Sequence, residues 1–217
     1  MRRFFKTLAI AAIVVVAGLL VGAILLLASC RRYWSQQSLG VSFLIDCDFD
    51  QARKIMVRTD PLERLVAACG RRIVNKQVRS VDVSTDKLIN GNWDLNCRNY
   101  LVEDTPDPLG GRVNLFIIQS VRVQPDRLTS RNVLDKPTGH FLCQDAVLTM
   151  QRSGKKTLAT IDITAGVTFY APWCPGLQDH LDGKVTEGIQ AALRGLRDEL
   201  TKVVTERKGQ TFLFKVF

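Results

Sequence analysis

TLATIDITAGVTFYAPWCPGLQDHLDGKVTEGIQAALRGLRDEL, residues 157–200, decides the fold. Ala159, Ile161, Ile163, Ala165, Val167 and Phe169 alternate with Leu158, Thr160, Asp162, Thr164, Gly166 and Thr168. A two-residue period of this length predicts a strand with one buried face and one mostly wet face. Pro172-Trp173-Cys174-Pro175-Gly176 punctuates the chain, and the period then becomes helical from about Leu177 to Glu206. Leu181, Val185, Ile189, Ala192, Leu193, Leu196, Leu200, Val203 and Val204 form one apolar stripe, with Lys184, Glu187, Gln190, Arg194, Arg197, Asp198 and Lys202 largely off it. Asp198 and Lys202 have the spacing and polarity of a helical ion pair. Gly188 and Gly195 each cost about 1 kcal/mol relative to alanine inside a helix. Either a close approach to a sheet or ligand, or chance, accounts for them.

Outward from this stretch, Val41–Ile45 reads as a first strand, closed by Asp46, Asp48 and Asp50. A helix is expected from Asp50, as N-cap, to about Arg58. Thr59-Asp60-Pro61 breaks it, and Pro61 suits the first turn of a second helix. That helix carries Leu62, Leu65, Val66 and Cys69 on one face and stops at Gly70. From Arg71 to Tyr170 the pattern is of strands, with a hairpin signal at Asn90-Gly91. No βαβ alternation occurs, so the expected class is α+β with an antiparallel sheet.

The order is a strand, two short helices, about six antiparallel strands and one long amphipathic helix. It resembles the helix-grip fold of the START-like (SRPBCC) superfamily over roughly Gly40 to Glu206, most suggestively from Thr157 to Leu200 with Gly195-Leu196-Arg197. The resemblance implies a curved sheet of six to seven strands around the C-terminal helix. It also implies an apolar ligand held between them, lined by Ile161, Ile163, Val167 and Phe169 of the strand and by Val185, Ile189, Leu193, Leu196 and Leu200 of the helix. A filled core made of the same residues is the competing reading. So is the tubular architecture of exported lipid-binding lipoproteins, which the tail Thr211–Phe217 would suit.

The chain starts with Arg2, Arg3 and Lys6, and Thr7 to Ser29 is an uncharged run of 23 residues. At about 1.5 Å per residue a helix of that length spans roughly 35 Å, enough to cross a bilayer core. Leu27-Ala28-Ser29-Cys30 resembles the bacterial lipobox, which makes Cys30 a candidate for lipidation. Residues 1–30 are therefore expected to be a transmembrane anchor or a lipoprotein signal, and residues 31–39 a polar connector. Residues 40–217 would then form the domain on the extracytoplasmic side.

The formal net charge of the whole chain is +9, part of it from Arg2, Arg3 and Lys6. No Lys/Arg block interleaved with aromatics occurs, so a nucleic-acid partner is not expected; anionic headgroups or plain solubility suit the surplus. Cys47, Cys69, Cys97, Cys143 and Cys174 follow Cys30 without CxxC or zinc spacing. Trp173-Cys174-Pro175 lacks the second cysteine of dithiol chemistry. Asp46, Asp48 and Asp50 lack the glycine and closing glutamate of a calcium loop. His180, between Asp179 and Asp182, sits where a helix start already calls for acids. No nucleophile motif or phosphate loop is present. The expectation is a non-catalytic domain without metal or cofactor, binding a lipid or other apolar molecule. The alternative is a structural or interaction protein of the cell envelope.

Overall fold

The computed structural model describes residues 15–25, 27–83, 94–107 and 110–208. Strand β1 is Cys30–Ile45, followed by helices α1 (Phe49–Thr59) and α2 (Leu62–Ala68). Strands β2 (Arg72–Val83), β3 (Leu95–Pro106), β4 (Arg112–Val123), β5 (Arg127–Leu134), β6 (Phe141–Ser153) and β7 (Lys156–Pro172) come next, then helix α3 (Leu177–Glu206). All seven strands form one sheet in the order β1-β7-β6-β5-β4-β3-β2, with antiparallel pairing throughout. Bulges in β2, and between Phe141 and Cys143 in β6, interrupt the register; bulges bend a strand and sharpen its twist. The helix packs on β1, β7 and α2. This is the helix-grip arrangement.

The polar connector expected at residues 31–39 is instead the first half of β1, which runs unbroken from Cys30 opposite Pro172 to Ile45 opposite Thr157. The expected strand at Val41–Ile45 is only its end. Period-2 alternation is present from the start: Tyr33 and Ser35 are buried, Trp34 and Gln36 exposed. This half of the strand runs beside the first turn of α3, where Gln178 Nε2 donates to the Trp34 carbonyl at 2.8 Å.

Residues 15–25 and 27–28 are helical, and Val15, Leu19, Leu20, Ile24 and Leu25 are all exposed. No helix among the described residues is long and apolar enough to cross a membrane. The expected span from Thr7 falls partly outside those residues, and the Asn90-Gly91 hairpin and the tail Thr211–Phe217 lie wholly outside them.

The N-cap of α1 is Asp48 rather than Asp50, its carboxylate accepting from Asp50 N at 2.9 Å. Asp50 is drawn off by Arg152, 2.7 Å away. The expected Asp198–Lys202 pair is replaced by Arg197–Asp198 and Lys202–Glu206. None of the six cysteines is bonded to another.

Two apolar clusters lie along the length of the sheet. One, at the Ile45 end, joins Ile45, Phe49, Ile55, Met150, Leu200, Val203 and Val204 in a dry core. The other joins Tyr33, Leu101, Ile117, Phe141, Ile161, Val185, Ile189 and Leu193 toward the Cys30 end.

Candidate functional site

Between the concave face of the sheet, α2 and the first half of α3 lies a cavity of about 580 Å³. Ligand pockets commonly measure about 300–1,000 Å³. Of the residues expected there, Ile161, Ile163, Val167, Val185, Ile189 and Leu196 line it. Phe169, Leu193 and Leu200 do not. Phe169 stacks on Tyr33 with ring centroids 5.5 Å apart, Leu193 is buried in the surrounding cluster, and Leu200 belongs to the dry core. Ala146, Ala165 and Ala192 add small side chains to the wall. Gly188 also lines it, and a methyl group there would meet nothing within 4 Å. Gly195 does make the close approach its position suggests, but to the Ala68 carbonyl of α2 rather than to the sheet.

One part of the wall is polar, and periodicity in the sequence does not reveal it. Inward positions of β3 are Leu101, Glu103 and Thr105, all buried. Glu103 is 2% exposed, and Arg71 Nη1 lies 3.3 Å from its carboxylate while donating to Gln144 Oε1 at 2.7 Å. Burial pushes the Glu103 carboxyl above the usual range, against the opposing pull of Arg71. Thr105 Oγ1 and Asn132 Oδ1 are buried with no hydrogen-bond partner among the described residues. Both residues line the cavity. Leaving a buried polar atom unpaired costs about 1–3 kcal/mol, so a ligand hydroxyl or amide reaching either atom would recover that energy. At the rim, His140 Nδ1 lies 2.8 Å from Asp107 Oδ1. His180 is exposed at the start of α3.

Cys69 also lines the cavity, and burial raises its thiol pKa to about 11. Cys174 is exposed on the turn before α3. Among the described residues, no three His, Cys, Asp or Glu side chains converge as metal ligands would. A smaller cavity of about 270 Å³ sits beneath α1 and α2, and Leu62, Leu65, Ser130 and Leu148 border both voids. Asn99 Nδ2 donates to Gln119 Oε1 at 2.7 Å in its wall.

No family model matches the chain, and no curated protein matches its sequence. Solved structures do resemble it. TTHA0849 from Thermus thermophilus is 13% identical with a TM-score of 0.49, covering 80% of this chain and 100% of its own. The Zhui aromatase/cyclase from Streptomyces sp. R1128 is 8% identical with a TM-score of 0.45, covering 80% of this chain and 96% of its own. A START superfamily protein from Mycobacterium smegmatis is 17% identical with a TM-score of 0.40, covering 75% of this chain and 98% of its own.

Proposed function

We propose that this chain is a membrane-tethered, extracytoplasmic binding module that holds a lipid or another apolar molecule between its sheet and α3, without catalysis. The observation that carries the reading is the cavity of about 580 Å³, apolar along β7 and α3 and polar at Arg71, Glu103 and Thr105. An apolar body would gain about 25 cal/mol for each Å² it removes from water. The polar groups would fix its orientation. Tethering is supported by the uncharged run Thr7–Ser29 and by the exposed apolar side chains of residues 15–25, a surface that lipid would cover. It is also supported by Leu-Ala-Ser-Cys at 27–30, with Cys30 the candidate lipidation site. The cationic start would stay inside, placing the folded domain outside.

The test is mass spectrometry of organic extracts from the purified full-length protein, compared with Ala146→Phe and Ala192→Phe, which fill the void. A stoichiometric apolar compound in the wild type that is absent from both folded variants is the expected result. Equal, substoichiometric extracts from all three would sink the reading and favour the envelope interaction protein.

One observation favours a second reading. His140 with Asp107 at the rim has the geometry of an acid–base pair beside a void. If the bound compound is chemically altered by the wild type and unaltered by His140→Ala, the domain is an enzyme.

A further inference from the structure

We infer that the Cys30 end of the sheet is a docking surface for a bilayer, with Trp34, Tyr170 and Trp173 in the headgroup layer and Arg31 and Arg32 against lipid phosphates. The inference rests on the tethered reading of residues 7–29.

Three independent features converge on this end. The first is exposure: Trp34 is 57%, Tyr170 72% and Trp173 56% exposed. Soluble surfaces seldom gather three large aromatics without a partner. Register brings two of them together. Arg32 pairs with Tyr170 and Trp34 with Thr168, putting Arg32, Trp34 and Tyr170 on one outward face. Trp173 lies on the other side of β1, beside Arg31 and Tyr33, and its N donates to the Ser29 carbonyl at 3.1 Å.

The second feature is chemistry. Tryptophan and tyrosine carry an apolar body and a polar tip, the combination that concentrates at membrane–water interfaces. The Arg31 guanidinium lies 5.7 Å from the Trp173 ring and 5.1 Å from the Tyr33 ring. Arg31 Nε also donates to the Tyr33 hydroxyl at 3.2 Å. An arginine at this position suits lipid phosphates, which accept paired hydrogen bonds from a guanidinium.

The third is connectivity. Ser29 N donates to the Leu25 carbonyl at 3.0 Å, and Cys30 already pairs with Pro172. The uncharged segment passes into the sheet with no intervening linker. Wherever residues 7–29 enter lipid, this edge must meet the surface first, and a lipid-modified Cys30 would impose the same contact.

The polar part of the cavity faces the same way. Phe141 pairs with Val167, and Thr168 N donates to the His140 carbonyl at 2.8 Å, so the Asp107–His140 rim lies at the Cys30 end. Docking would turn that rim toward the headgroups.

The experiment uses the full chain in phosphatidylcholine–phosphatidylglycerol vesicles carrying lipids brominated near the headgroup. Single-tryptophan variants keep Trp34 or Trp173, the other tryptophans, including Trp93, being changed to Phe. A third variant has no native tryptophan and carries Leu44→Trp, on the exposed far end of β1. Flotation is measured first. The expected result is co-flotation, loss of Trp34 and Trp173 emission to the bromolipid, and unchanged emission from the Leu44→Trp variant. Arg31→Gln with Arg32→Gln should reduce the quenching on anionic vesicles. If the chain floats but Trp34 and Trp173 emit as strongly as the far-end reporter, docking is overturned and tethering stands. Failure to float overturns both.

Discussion

Gly195 of α3 lies so close to Ala68 of α2 that a side-chain carbon at position 195 would overlap the Ala68 carbonyl oxygen. The contact is between backbones, so neither partner can rotate out of the way. It fixes the height of α2 on the helix, and α2 forms one wall of the cavity. Gly195→Ala should therefore destabilise by about 1–3 kcal/mol as an overpacked site, although alanine is the better helix former. Gly188→Ala, with open space around it, should stabilise by up to about 1 kcal/mol. Urea midpoints of the two variants decide the matter; equal shifts would mean that the α2–α3 contact is not as tight as the geometry requires.

Leu200 and Ile189 share one stripe of α3 but have different surroundings. Leu200 is fully buried in the dry core, whereas Ile189 borders the void. Truncation to alanine costs about 2–5 kcal/mol in cores, and the cost grows with the cavity left behind. Leu200→Ala should fall at the upper end and Ile189→Ala at the lower, because the neighbours of Ile189 already face empty space. Chemical denaturation of both variants without ligand tests this, and a larger loss for Ile189→Ala would contradict it.

The Glu103 carboxyl is raised by burial in the folded protein. A group whose folded pKa lies above its unfolded value holds its proton more tightly when folded. Its contribution to stability is full below the unfolded pKa and is lost as pH rises through the folded pKa. The slope is about 1.4 kcal/mol per pH unit between those two values. Glu103→Gln keeps an acceptor for Arg71 and removes the titration. The difference in unfolding free energy between wild type and variant should shift in favour of Glu103→Gln as pH rises from about 4 toward neutrality. A pH-independent difference would refute the assignment.

Cys69, with its thiol pushed up to about 11, should resist alkylation. At a pH of about 8 roughly one such thiol in a thousand is ionised, and the thiolate is the reactive form. Iodoacetamide should label exposed Cys174 well before Cys69, as peptide mapping would reveal. Early labelling of Cys69 in the folded protein would show that its site is open to water.

The strand Ala159–Phe169 and the stripe Leu181–Val204 are plain in the sequence because each presents a single continuous apolar face. The first half of β1 is hidden for the opposite reason. Its inward positions begin with Tyr33, Ser35 and Gln37, a polar set beside the start of α3. The cavity wall follows the same logic. Periodicity places Ile189, Leu193 and Leu200 on one side of α3, but it does not tell a void from a filled core along that side. Glu103 and Thr105 alternate with Leu101, yet only the register of β3 shows which way they point. Arg71 reaches Glu103 across 32 residues of chain and Gln144 across 73, separations that only the fold closes.

The two clusters under the sheet have an evolutionary consequence. The larger void lies within the cluster toward the Cys30 end, and Leu65 and Leu128 of the other cluster border the smaller one. Substitutions at Ala146, Ala165, Ala192 or Gly188 would reshape the larger void, whereas Ile45, Phe49, Met150 and Leu200 border neither void and hold the fold together. A lineage carrying this chain could therefore change the shape of the larger void, one small side chain at a time, without passing through an unfolded intermediate.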